Sequence, residues 1–317
     1  MNLIEGIAGG IAAAGLIGSL VGAKVLYDRV IPRQEKLRVD LNEFADMEKW
    51  EEYKKIMTPN KEWIMAQTLE DIDIKARDGI KLHGYFLPAE KPSDRLVIGC
   101  HGYTSCGMND FPSHARFFHE YGFDVLILDL RAHGKSEGNY VGFGILDRYD
   151  LLEWIRYVNE RFEGKKKLLL HGTSMGGATV LMASGFKEVQ SCVKGIVADC
   201  AFTSPNDIFA HVLKKNYHLP PFPIMNINNE MCKKTAGYSF KEYTTPDALS
   251  TNKIPVLFVH GKADKFVPTW MTEKNYEAAV CEKMLLWVEN AGHGSSYYEN
   301  KPLYEEKEKE FIAKYFG

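Results

Sequence analysis

Six residues constrain this chain more than any others: Gly172-Thr173-Ser174-Met175-Gly176-Gly177. They follow the apolar run Leu168-Leu169-Leu170 and open a helical stretch. A strand that turns this sharply into a helix has room only for small flanking side chains. Gly172, Gly176 and Gly177 supply that room, and Ser174 is left exposed at the apex. Such a turn belongs on a sheet with helices packed against it. The composition agrees: 45% hydrophobic and 26% charged residues exclude a disordered, collagen-like or multi-span membrane chain.

The surrounding pattern supplies the sheet. Ile72–Ala76 alternates like a strand, Asp78-Gly79 reads as a hairpin turn, and Ile80–Leu87 is its partner. Six apolar runs follow, at Leu96–Gly99, Val125–Leu128, Leu168–Leu170, Ile196–Ala198, Val256–Val259 and Leu285–Val288. Helical stretches at 111–121, 145–162, 175–186 and 269–280 lie between them, and one at 303–315 follows. Strands alternating with helices predict an α/β fold with a mostly parallel, eight-stranded sheet and helices on both faces. More than fifty residues separate the strand ending near Asp199 from the one beginning at Ile254. That is too long for a plain crossover, so residues 203–250 are expected to form an inserted helical cap. The sheet-bearing domain is then 69–317.

A serine hydroxyl needs a base. With a nucleophile at such a turn, the acid and then the histidine are expected downstream. The strand Val256–Val259 runs into a loop ending at Asp264, and Leu285–Val288 runs into one ending at His293. Both lie just past carboxyl strand ends, where open α/β sheets meet ligands. In this reading Ser174 attacks, His293 takes its proton, and Asp264 orients the imidazole. The backbone N–H groups of Tyr103, after the strand Leu96–Cys100, and of Met175 would hold the oxyanion, each worth ~3 kcal/mol. The Tyr103 side chain is then available to line the acyl pocket. His83, His114, His119, His211 and His218 lack strand-end context, and Asp207 and Asp247 fall in the cap. His133 precedes Ser174 and breaks the expected order. Asp129 and Arg131, on the loop Asp129–Gly138, are expected to bond neighbouring backbone. That loop lacks phosphate-loop spacing.

The remaining features set context. From Gly6 to Ala23 there is no charge, and Ala14, Gly18 and Gly22 form a small-xxx-small series, so residues 1–26 read as a membrane anchor. Lys24, Arg29, Arg33, Lys36 and Arg38 all follow it, which places the catalytic part in the cytoplasm. Residues 27–68 read as an amphipathic helical linker. Leu37, Leu41, Phe44, Met47 and Tyr53 share one face, and Thr58-Pro59-Asn60 is expected to end the helix. Net charge is -3, so no basic field attracts nucleic acid. The cysteines show no C-x-x-C pair and read as buried thiols.

Over about 70–317 the chain resembles the α/β-hydrolase superfamily, in its serine aminopeptidase-like branch with feruloyl esterases and monoacylglycerol lipase-like enzymes. The resemblance rests on His101-Gly102-Tyr103, Asp129-x-Arg131-x-His133-Gly134-x-Ser136, Gly172-x-Ser174-x-Gly176-Gly177, His260-Gly261-x-x-Asp264 and Gly292-His293. It implies a serine hydrolase cleaving carboxylic esters, with amides or short peptides as alternative substrates and no metal or organic cofactor. A peptidase would need a carboxylate for the α-ammonium, for which Glu230 and Asp207 are candidates. The stretch Pro220–Asn228 would offer apolar contact to an acyl chain, with Phe222, Ile224 and Met225 setting preference. A non-catalytic, membrane-tethered binding module with the same fold is the reading from another class.

Overall fold

The computed structural model describes residues 18–34 and 47–317. Its strands are β1 (Glu70–Lys75), β2 (Lys81–Leu87), β3 (Arg95–Cys100), β4 (Asp124–Asp129), β5 (Lys167–Thr173), β6 (Val193–Asp199), β7 (Val256–Gly261) and β8 (Lys283–Val288). They form one eight-stranded sheet in the order β1-β2-β4-β3-β5-β6-β7-β8. Only the β1–β2 and β2–β4 pairings are antiparallel. The hairpin turns at Gly79, whose φ of 91° suits glycine.

The central strands carry apolar runs along their middles because both their faces are covered. Leu96, Ile98, Leu126, Leu128, Leu168, Leu170, Val256 and Phe258 enter one core. Val97, Val125, Ile127, Leu169, Leu257 and Val259 enter the other. This period of two is the strand's own geometry. Helices Asp147–Arg161 and Met175–Ala183 close the first core; Pro112–Glu120 and Lys301–Tyr315 close the second. Because β3, β5, β7 and β8 run the same way, the loops after them share one edge.

Between β6 and β7 lie helices Pro205–Lys215, Pro221–Thr235 and Thr245–Leu249. Ile224 and Met225 are buried in the first core, while Phe222 is 72% exposed. These three therefore pack or face solvent, contrary to the expectation that they meet the acyl chain.

The amino-terminal segment also departs from the sequence reading. Residues 18–30 form one helix that crosses the anticipated 26/27 boundary. Ala23, Tyr27 and Ile31 are buried in the first core. A Cβ built on Gly22 would lie 3.8 Å from Ile224 Cδ1, so part of the small-residue series serves packing within the chain. The run Gly6–Ala23 lies outside the described residues up to residue 17. Among the described residues no helix is long and apolar enough to cross a membrane. The helix does not run on as a linker. At 31–34 the chain bridges Pro32 to Tyr140, with Val141 N–H donating to Ile31 O at 2.8 Å. Leu37, Leu41 and Phe44 lie outside the described residues.

Helix Met47–Met65 continues through Pro59 instead of stopping there. Its interior proline removes one backbone donor. Docking offsets this: buried Asn60 donates through Nδ2 to Ile56 O at 2.9 Å and to Ser113 Oγ at 3.1 Å.

Candidate active site

β5 delivers Ser174 to the carboxyl edge of the sheet in a backbone conformation that side chains rarely adopt, φ 55° and ψ −112°. Such a residue costs about 1–3 kcal/mol and persists only where its surroundings fix it. Here Ser174 N–H donates to Asp199 O at 2.8 Å. A Cβ on Gly172 would come within 2.2 Å of Gly176 O, and one on Gly176 within 2.1 Å of Cys100 O. The two glycines let strand, turn and β3 close on one another.

His293 comes from the loop after β8 and Asp264 from the loop after β7. His293 Nε2 lies 2.9 Å from Ser174 Oγ, and His293 Nδ1 lies 2.8 Å from Asp264 Oδ2. The three side chains that sequence order picked out thus form one hydrogen-bonded chain. Asp264 is buried, and its Oδ1 accepts from the N–H groups of Phe266 and Val267, both at 2.9 Å. Burial alone would raise this carboxyl. The charge of His293 and hydrogen bonds from His260 and His293 outweigh it and hold Asp264 below the usual carboxylate range. An ionised Asp264 places the neutral imidazole's proton on Nδ1 and leaves Nε2 to accept from Ser174. Burial works against a charged His293, but Asp264, helped by Asp199 and Asp110, raises its pKa above the ordinary value.

The loop after β3 lies against the serine: a Cβ on Gly102 would be 3.6 Å from Ser174 Cβ. Two residues that the sequence reading gave no role hold this loop. His101 is buried, accepting at Nε2 from Leu130 N–H (3.0 Å) and donating from Nδ1 to Gly102 O (2.7 Å). Asp110 accepts from Gly102 N–H at 2.9 Å and from the Ser105 hydroxyl. The histidine had a signal, its place beside Gly102 at a strand end. Asp110 had none, since only folding of the short helix Gly107–Asp110 brings it back. His260, also unassigned, donates from Nε2 to Val267 O at 2.9 Å and lies 3.2 Å from Asp264 Oδ2.

On the neighbouring loop, Asp129 accepts from Gly107 and Lys135 N–H, both at 2.9 Å, as expected. Arg131 differs from expectation. It makes a two-pronged bond to buried Asp150, 2.6 Å on each prong, because Asp150 rises from the facing helix. Burial lowers His133 to about 3, so it stays a neutral packing group.

Above Ser174 is a cavity of about 370 Å³. Tyr103, Phe143, Phe202, Ile208, Phe209, Val212 and Phe266 line it, joined by Leu26 and Val30 from helix 18–30 and Trp50 and Met57 from helix Met47–Met65. Tyr103 is not a loose wall: its hydroxyl donates to Arg29 O at 3.2 Å and Val30 O at 3.1 Å. Neither carboxylate put forward for an α-ammonium borders the cavity. Asp207 accepts from Thr203 Oγ1 at 2.6 Å, and exposed Glu230 pairs with Lys233 at 2.7 Å.

A second polar cluster lies deeper. His114, His171 and Glu308 are buried, and one ligand atom from each lies within 4.8 Å of the others. These donors could converge on a small divalent ion. Burial also drives Glu308 up and both histidines down, which favours a neutral carboxyl 3.2 Å from His171 Nε2. Cys200 Sγ lies similarly close to Asp264 and His293, whose bonds already serve Ser174.

A strained serine, histidine and carboxylate on the carboxyl edge of this sheet define an α/β-hydrolase. Comparison with known proteins agrees. The serine aminopeptidase S33 family matches residues 91–235. An uncharacterized protein of Bacillus subtilis is 30% identical over 237 residues, covering 74% of this chain and 76% of its own. An uncharacterized membrane protein of Saccharomyces cerevisiae is 25% identical over 213 residues, covering 66% of this chain and 67% of its own. An esterase from Pyrococcus furiosus shares the fold with a TM-score of 0.64 at 23% identity, over 80% of this chain and 95% of that one. The chain belongs to the α/β-hydrolase family, in its serine aminopeptidase-like group, and is a hydrolase.

Proposed function

We propose that the protein cleaves carboxylic esters through an acyl-enzyme on Ser174. His293 takes the Ser174 proton and passes it to the leaving group, Asp264 stabilises the imidazolium, and water then deacylates the serine. The N–H groups of Tyr103 and Met175 hold the developing oxyanion. The observation that carries this reading is the chain Ser174 Oγ–His293–Asp264, with links of 2.9 and 2.8 Å, beneath an apolar cavity. An ester of an apolar acid suits that cavity better than a free peptide amino terminus. The two other carboxylates in its wall are already engaged, Asp110 by Gly102 N–H and Asp199 by Ser296 Oγ at 3.1 Å. An incoming ammonium would compete with those bonds. A fluorophosphonate probe should label the folded protein once and should not label Ser174→Ala. Folded protein that resists the probe would overturn the mechanism.

We further infer from the uncharged run Gly6–Ala23 and the basic residues after it that the amino terminus tethers the enzyme to a membrane, with the catalytic domain in the cytoplasm. Ala23 belongs to the folded domain, which shortens the tether at its carboxyl end. Full-length protein should need detergent, not salt, for release from membranes. Protein wholly soluble at low salt refutes the tether, and digestion of the catalytic domain by protease outside intact cells reverses its orientation.

A further inference from the structure

Two segments distant in sequence wall the cavity and also face outwards. Leu26 and Val30 reach the cavity from helix 18–30, and Val212 and Tyr217 reach it from the end of helix Pro205–Lys215 and the turn beyond. On the first segment, Leu20, Val21 and Val25 are 47%, 58% and 47% exposed. On the second, Tyr217, Leu219 and Phe222 are 42%, 41% and 72% exposed. Exposed large apolar side chains elsewhere among the described residues are Met65, Trp270 and Leu303, on three different helices, and Val280, in a loop. Concentration of such residues marks a surface that something covers.

The segments adjoin one another. Gly22 packs on Ile224, two residues after Phe222, and the Tyr27 hydroxyl bonds the Thr235 hydroxyl. Tyr217 is both exposed and part of the cavity wall, so the cavity reaches the surface within this patch. Residues 18–30 and 214–222 carry Lys24, Arg29, Lys214 and Lys215 against one acid, Asp28. In the sequence, the residues before 18 are uncharged from Gly6. Apolar side chains fringed by cations match an anionic bilayer surface.

We propose that this face rests on an anionic lipid surface and that the substrate is an ester of a lipid acyl chain, drawn into the cavity between Leu26 and Tyr217. The substrate part rests on the ester-hydrolase reading; the docking part does not. An acyl chain that leaves the bilayer directly into an apolar channel is never exposed to water, so its transfer loses no hydrophobic stabilisation. The tether brings the enzyme to the membrane, and the face orients the cavity towards it.

The test uses full-length protein on two substrates, a long-chain ester carried in phosphatidylglycerol-rich vesicles and p-nitrophenyl acetate in solution. The double variant Leu219→Asp, Phe222→Asp should lose about tenfold or more on the vesicle ester, the scale set by burying one aromatic side chain, and keep its acetate rate. In Phe222→Trp, brominated acyl chains should quench the introduced tryptophan, less so in purely zwitterionic vesicles. Unchanged vesicle activity would overturn the proposal, because the tether alone would then deliver substrate. Equal losses on both substrates would also overturn it, by assigning the face to the fold. A lipid-free dimer that buries the introduced tryptophan would give the face to a second copy. If the parent protein hydrolyses neither ester while quenching persists, the hydrolase reading fails and the docking stands.

Discussion

The floor and the roof of the cavity are built by different rules. The floor is made where β5, β7 and β8 end, and each proposed catalytic group sits within five residues of its strand: Ser174 after Thr173, Asp264 after Gly261, His293 after Val288. The roof is assembled from helix 18–30, helix Met47–Met65 and the helices between β6 and β7, whose contacts span up to 250 residues of chain. A site fixed by local chain geometry on a rigid sheet holds its chemistry whatever covers it. A roof held by docking can change its occupant without touching that chemistry. Residues of the floor should therefore govern turnover, and residues of the roof stability and choice of substrate.

The largest effect expected is at the floor. Ser174→Ala should lose at least about 10⁴-fold in kcat with an unchanged melting temperature, His293→Ala should be comparable, and Asp264→Asn should lose less. Retained turnover in Ser174→Ala would break the comparison at its base. At the roof, Ile224→Ala should cost about 2–5 kcal/mol of stability by emptying a packed site, while exposed Phe222→Ala should stay within about 0.5 kcal/mol. Denaturant titration separates the two. Equal effects would mean that the roof does not share the main core.

A pH profile probes the floor more finely. With His293 as the proposed base, the free enzyme needs it neutral; its folded pKa is raised, so kcat/KM should fall on acidification with a midpoint above the ordinary histidine value. Asp264→Asn should move that midpoint down. A proton held more tightly in the folded state stabilises it fully below the unfolded pKa, and that contribution fades as pH rises through the folded value. Activity should therefore increase as this contribution disappears. A rate flat across that range would remove histidine as the base. The smallest effect expected joins the two regions. Tyr103→Phe deletes the donor to Arg29 and Val30 carbonyls and should cost about 1 kcal/mol in a thermal scan, with a few-fold loss confined to long-chain esters.

The same contrast explains what could be read from the sequence. The strands, the turn at Ser174 and the places of Asp264 and His293 just past strand ends were legible because each is set by residues a few positions apart. The fate of Pro59 was not, since its helix survives through Asn60 docking on Ser113. Arg131 was expected to bond backbone, and only the fold brings Asp150 to it. Phe222, Ile224 and Met225 looked like a substrate surface because the sequence shows their apolarity but not helix 18–30 covering two of them. Asp110 was invisible for the same reason.

The position of Tyr27 and Ile31 in the core has a consequence for synthesis. These residues are made before their partners around Tyr140, Ile224 and Thr235, which emerge about one to two hundred residues later. Chains grow from the amino terminus and domains form as their parts appear. Helix 18–30 is thus made well before its seat, and the cavity above Ser174 acquires its Leu26–Val30 wall only after Thr235 has been made.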